Sequence, residues 1–135
     1  MIQSGRASLV VLSTETPPAA ISEVLALEPT DVEHAGTRAP SGRVRQDNYW
    51  SLDVETLDNT DEDQTGTRAL QVLLARCSAA IGRVVNLPQD CDARIWWFAD
   101  SDSVQGGFVL PIGLSADIAA LGVDVFATVY LNEGD

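Results

Sequence analysis

Residues 94–112 read RIWWFADSDSVQGGFVLPI. Two adjacent tryptophans lead into an acidic, serine-rich stretch, then a Gly-Gly pair, then more apolar chain. Ile95 and Trp97 alternate with Trp96 and Phe98, so ARIWWFAD (93–100) reads as a strand that is apolar on both faces. GGFVLPI (106–112) reads as a second strand, with DSDSVQ as the hairpin connection between them. Pro111 in that run points to an edge strand or a bulge, and Gly106-Gly107 to a hairpin bend or bulge. A strand that is apolar on both faces is usually covered on both. The second face is therefore a groove, a dimer interface or a partner surface, unless the chain's own loops bury it.

The same stretch invites a metal reading. Asp100 and Asp102 begin like a calcium-binding loop. Counting from Asp100, the sixth position requires glycine and is Gln105, and the twelfth requires a bidentate glutamate and is Pro111. The metal reading therefore fails, and a polar turn remains.

Outward from this stretch, SLVVLS (8–13) reads as a buried strand. A helix follows, with Thr16 as N-cap, Pro17 at its first position, an apolar stripe of Ile21, Val24, Leu25 and Leu27, and Pro29 as its stop. DVEHAGTR (31–38) suits a polar strand and NYWSLDVE (48–55) an alternating one. Leu70, Leu73, Leu74, Cys77, Ile81 and Val84 give a long helix over 64–85. Ser115 caps a short helix that Gly122 ends, and VDVFATVYL (123–131) is the last strand, with Phe126 and Tyr130 on one face.

The expected fold is a single α+β domain over residues 1–135. It is a two-layer sandwich with a mixed sheet of about six strands in the order βαββ-α-ββαβ. Its helices lie mainly on one face, as an elaboration of a ferredoxin-like fold.

Charge narrows the functional classes. The chain has 20 carboxylates against 8 cations, all arginine, and a net charge of -12. That argues against nucleic-acid binding, which needs cations to displace phosphate counterions. It favours solubility and the steering of a basic partner. No membrane span is long enough, and the N-terminus reads as a short leader to a strand rather than a signal peptide, so the expected compartment is the cytoplasm. Cys77 and Cys91 match no metal or redox spacing. Asp53, Glu55, Asp58, Asp61, Glu62 and Asp63 form an acidic run with no His or Cys beside it, which suits a solvated loop, helix N-terminal charge or a basic protein. His34 has no nucleophile signature near it. No phosphate loop or zinc motif is present, so no catalytic residue, metal or cofactor is assigned. Arg38, Arg43 and Arg45 cluster in one loop, where they either receive an anion or pair with nearby carboxylates.

LALEPT (25–30), AGTR (35–38), Trp50 followed by Ser-Leu, the GGF at 106–108 and ADIAALGVDVFATVY (116–130) together resemble the bacterial domain-of-unknown-function 4279 family. The likeness covers nearly the whole chain. Its motifs (Glu28-Pro29, Gly36, Trp50, Gly107, Gly122) are structural, and it implies a fold without implying an activity. Small acidic domains of this sort are associated with toxin-neutralising immunity proteins.

Two functions are expected. The first is a non-enzymatic domain that contacts another protein, or itself, through Trp96, Phe98, Phe126 and Tyr130, with an immunity-type basic partner as its sharpest form. The second is a small-molecule or anion site between Trp50, Trp96 and the loop carrying Arg43 and Arg45.

Overall fold

The computed structural model describes residues 1–131. Among these residues five strands form one mixed sheet: β1 (Ile2–Ser13), β2 (Asp31–Glu33), β3 (Asn48–Asp58), β4 (Cys91–Ser101) and β5 (Asp124–Leu131). Helices α1 (Pro18–Leu25), α2 (Arg68–Arg76) and α3 (Ile112–Leu121) complete the fold. The sheet order is β2-β3-β1-β4-β5. β1 lies antiparallel to both neighbours, β3 and β4, while β5 is parallel to β4.

Alternation along β1 decides which side becomes the core. Ala7, Leu9 and Val11 point to one face, and the register places them beside Val54, Leu52 and Trp50 of β3 and Trp97, Ile95 and Ala93 of β4. Ile21 and Leu25 of α1, Leu70, Leu73 and Leu74 of α2, and Leu114 and Leu121 of α3 close over this face in a single cluster. All three helices therefore cover the same side. Trp50 is fully buried there, and its Nε1 donates to Ser22 Oγ at 3.0 Å, which satisfies the one polar atom of the ring. Cys77 is buried in the same cluster, and desolvation pushes its thiol up to about 11.

The α+β class and the mixed sheet match the sequence reading, but the strand count does not. GGFVLPI is no strand: residues 105–111 form no regular structure, and Pro111 stands at the N-cap of α3. Its start packs on the sheet instead of pairing beside it: a Cβ on Gly106 would lie 2.9 Å from the Ser101 side chain and 3.0 Å from Val129 Cγ1, while residues 108–110 are exposed. One hydrogen bond, Val109 N to Thr65 O at 2.8 Å, anchors it further along. With five strands and β1 between two antiparallel neighbours, the order is also not the ferredoxin-like one.

The long helix is shorter than its apolar spacing suggests. It starts only at Arg68, because Asp63, Thr65, Thr67 and Gln71 form a side-chain network ahead of it, with Asp63 Oδ1 accepting from Thr65 N and Oγ1. It ends at Arg76, where Cys77 N is shared between the Leu73 and Leu74 carbonyls. Two 3₁₀ turns at 78–80 and 84–86 follow, separated by extended Ile81 and by Gly82 at φ +78. β1 also runs longer than expected, from Ile2 rather than Ser8.

Thr16 caps no helix, since Pro17 takes that position. Asp90 instead ties Thr16 to the turn before β4. Its Oδ2 accepts from the backbone N–H of Glu15 (2.9 Å) and Thr16 (2.8 Å), and its Oδ1 accepts from Thr16 Oγ1 at 2.7 Å. These donors stabilise the carboxylate and lower its pKa from 3.8 to about 2. A pKa depressed by folding stabilises the native state above the unfolded value and loses that contribution as pH falls through the folded one. In chemical denaturation, Asp90→Asn is expected to be less stable than the parent at pH 7. The gap should narrow as pH falls from 3.8 towards 2. A gap that stays constant across that window would show that the carboxylate is not the tie.

Candidate interaction surface

Among the described residues, the opposite face of the sheet carries no helix. On β4, Arg94, Trp96, Phe98 and Asp100 point there, and the parallel register sets them beside Asp124, Phe126, Thr128 and Tyr130 of β5. Alternation thus brings four of the seven residues singled out from sequence into one patch. Trp96 and Phe98 stack at 6.3 Å between centroids, Trp96 meets Phe126 at 5.0 Å, and Phe98 stacks on Tyr130 at 6.2 Å. Trp96 and Phe98 are half-buried by these neighbours, while Phe126 and Tyr130 are 39% and 48% exposed.

Arginine covers what the rings leave open. Arg94 Cζ sits 4.6 Å from the Phe126 centroid and 5.8 Å from that of Trp96, and Arg6 sits 4.9 Å from that of Phe98. Each such contact is worth about 0.5–1 kcal/mol at an exposed site. Sequence reading missed these two arginines. Their signal was present, because Arg6 and Phe98 fall opposite each other once β1 pairs with β4. Carboxylates flank the row. Asp53 lies across Ser8 from Trp96, Asp100 continues the line of Phe98 on β4, and Asp92 pairs with Arg94 at 2.5 Å.

The other three residues separate. Trp50 is a core residue on the helix-covered side, so it lines no surface site: Val11 and Val32 are its strand partners, and the same alternation that exposes Trp96 buries it. Arg43 and Arg45 lie in the segment after β2, which folds back through Gly36 N to Arg45 O (2.8 Å) and Arg45 N to Thr37 O (2.9 Å). This segment bounds an open cleft of about 610 Å3, with Leu12, Glu33, Arg38, Arg43 and Arg45 in its walls and neither Trp50 nor Trp96. Arg45 pairs with Glu33 at 2.8 Å and stacks 4.7 Å from the Tyr49 centroid, yet its Nε is buried without a partner. Arg43 makes no side-chain hydrogen bond or ion pair among the described residues.

Asp100 and Asp102 diverge. Asp100 belongs to the open face, while Asp102 accepts from the Met1 ammonium (2.8 Å) and from Gln3 Nε2 (2.9 Å), which lowers its pKa. Among the described residues no group of His, Cys, Asp and Glu side chains is gathered for a metal ion. No helix among them is long and apolar enough to cross a membrane.

The chain has three tryptophans, two of them in the core, so fluorescence can isolate the surface one. Acrylamide should quench a single emitting component, and Trp96→Phe should remove the quenchable share and leave the protected one. A parent protein whose emission is all protected would place Trp96 under cover.

The family model described as a domain of unknown function (DUF4279) matches residues 3–132. Comparison with curated proteins and with solved structures finds no match. The quoted motif positions have structural work here: Trp50 fills the core, and Gly36 and Gly122 adopt φ of +87 and +83, which side-chain-bearing residues resist. Fold-bearing positions and a match over almost the full length agree, and the chain belongs to the DUF4279 family.

Proposed function

We propose that the protein is a non-enzymatic interaction domain that docks a basic partner protein on the open sheet face. The observation that carries this reading is the row of Trp96, Phe98, Phe126 and Tyr130, rimmed by Asp53, Asp92 and Asp100. Clustered aromatics supply rigid apolar area at low entropic cost, and they dominate interface energetics when a partner excludes water from them. The acidic rim and the net charge of -12 supply what a basic partner would recognise, raising its association rate more than its final affinity. A cationic toxin neutralised by such a surface is the sharpest form of the reading.

The test is affinity capture from the native host with the full chain, followed by identification of what is retained. A basic protein is expected, and its binding should fall roughly tenfold or more with Trp96→Ala/Phe98→Ala, the loss typical of aromatic anchors. Raised salt should weaken capture as well. A partner whose retention ignores both changes would end the reading.

Among the described residues, Arg45 Nε and the Arg43 guanidinium have no partner, which supports a second reading, an anion site in the cleft beside β2. Guanidinium groups bind oxyanions through paired N–H donors. Calorimetric titration with inorganic phosphate should then give heat that Arg43→Ala abolishes, and a parent protein that gives none would dismiss the site.

A further inference from the structure

The two edges of the sheet are unlike. β2 has three residues, Asp31, Val32 and Glu33, two of them acidic. A short, charged edge is how natural sheets prevent pairing with other chains. β5 runs for eight residues in unbroken register with β4, and its one charge is Asp124 at the start. From Val125 to Leu131 it has no charge, proline, glycine or bulge. Among the described residues its outer edge meets no strand, and no loop hydrogen-bonds to its backbone. Val129 and Leu131 are 40% and 47% exposed on its helix-side face, as the aromatics are on the other.

We infer that β5 pairs antiparallel with β5 of a second copy, about a two-fold axis at Thr128, joining two five-stranded sheets into one. The side-chain period of two restricts a two-fold strand pair to registers in which a residue faces its own copy. Centred on Thr128, the strand reads alike in both directions: Val-Phe-Ala on one side, Val-Tyr-Leu on the other. Phe126 then faces Tyr130, Val125 faces Leu131 and Ala127 faces Val129 of the second copy, giving apolar and aromatic cross-strand pairs throughout. Centring on Ala127 would instead set Asp124 against Tyr130.

The same features select a second copy over a basic protein. Between Val125 and Leu131 there is no carboxylate for a cation to meet, and the strand already matches itself. Each copy brings a charge of -12, with Asp124 at the start of the strand and Asp100 beside Tyr130. Such a dimer tightens when salt screens the repulsion, opposite to the response expected of a basic partner. A paired strand alone buries less than the roughly 1,200–2,000 Å2 of a standard stable interface, so the association depends on concentration. On the open face the pairing makes the two aromatic rows continuous.

Sedimentation equilibrium on the full chain tests this. The weight-average mass should rise from 14.4 kDa towards twice that value with concentration, and more readily at higher salt. Thr128→Lys and, separately, Tyr130→Lys should return it to the monomer with an unchanged circular dichroism spectrum. Thr128→Cys in a Cys91→Ser background should oxidise to a covalent dimer, because directly opposed Cβ atoms in a strand pair lie about 4.5–5.5 Å apart. Trp96→Ala/Phe98→Ala should leave the mass curve unchanged, so this outcome is independent of whether a partner protein docks. A mass fixed at 14.4 kDa at the highest soluble concentration overturns the inference. So does a dimer that withstands Thr128→Lys or that Thr128→Cys fails to cross-link.

Discussion

The antiparallel pairing of β1 with both β3 and β4 is the constraint on which the rest depends. A strand flanked on both sides by antiparallel neighbours forces those neighbours to run parallel to each other with β1 between them. The chain must therefore pass over β1 to travel from β3 to β4, and it does so through α2. Leu70, Leu73 and Leu74 of that helix share one cluster with Leu9 and Val11 of β1 and Trp50 and Val54 of β3 because the crossing lies on one side only. The link from α1 passes over the same face, as does that from β4 through α3 to β5. Three crossings on one side give a dense core there and leave the other side to side chains alone.

What those side chains do follows from charge as much as from hydrophobicity. An apolar sheet face without a covering layer is a liability in water. Here Arg6 and Arg94 lie across the rings with their charged ends wet, reducing exposed apolar area without filling it. The rings are thus partly covered by arginine without being sealed. Trp97, one residue from Trp96, meets the opposite fate: its ring packs edge-on against Phe108 at 4.8 Å within the helix-covered layer.

Much of this is legible from period alone. The alternation in WWF and in VDVFATVYL is enough to place Trp96, Phe98, Phe126 and Tyr130, because a strand leaves no freedom about which side a residue takes. Trp50 escaped the same logic. NYWSLDVE alternates plainly, but alternation does not say which of its two sides meets the helices. GGFVLPI misled because its composition is that of a strand, while the close approach of Gly106 to Ser101 is a tertiary fact with no local signature. The end of α2 is an intermediate case. Ile81 and Val84 continue the apolar spacing, but the helix has already ended at Arg76, and Gly82 at φ +78 lies between the two 3₁₀ turns that follow.

The position of β1 has a consequence for synthesis of the chain. The first strand of this domain is the central one, and its apolar face cannot be closed until α2 has formed. Its second backbone partner begins only at Cys91, so residues up to the start of β4 must leave the ribosome before β1 has both edges paired. During that interval LVVL at 9–12 is a short, uncharged, β-branched segment of the kind that associates with other nascent chains. Arg6, just upstream in the same strand, is the only charge in β1. Besides lying over Phe98 in the finished fold, it is the one residue placed to keep that waiting strand in solution.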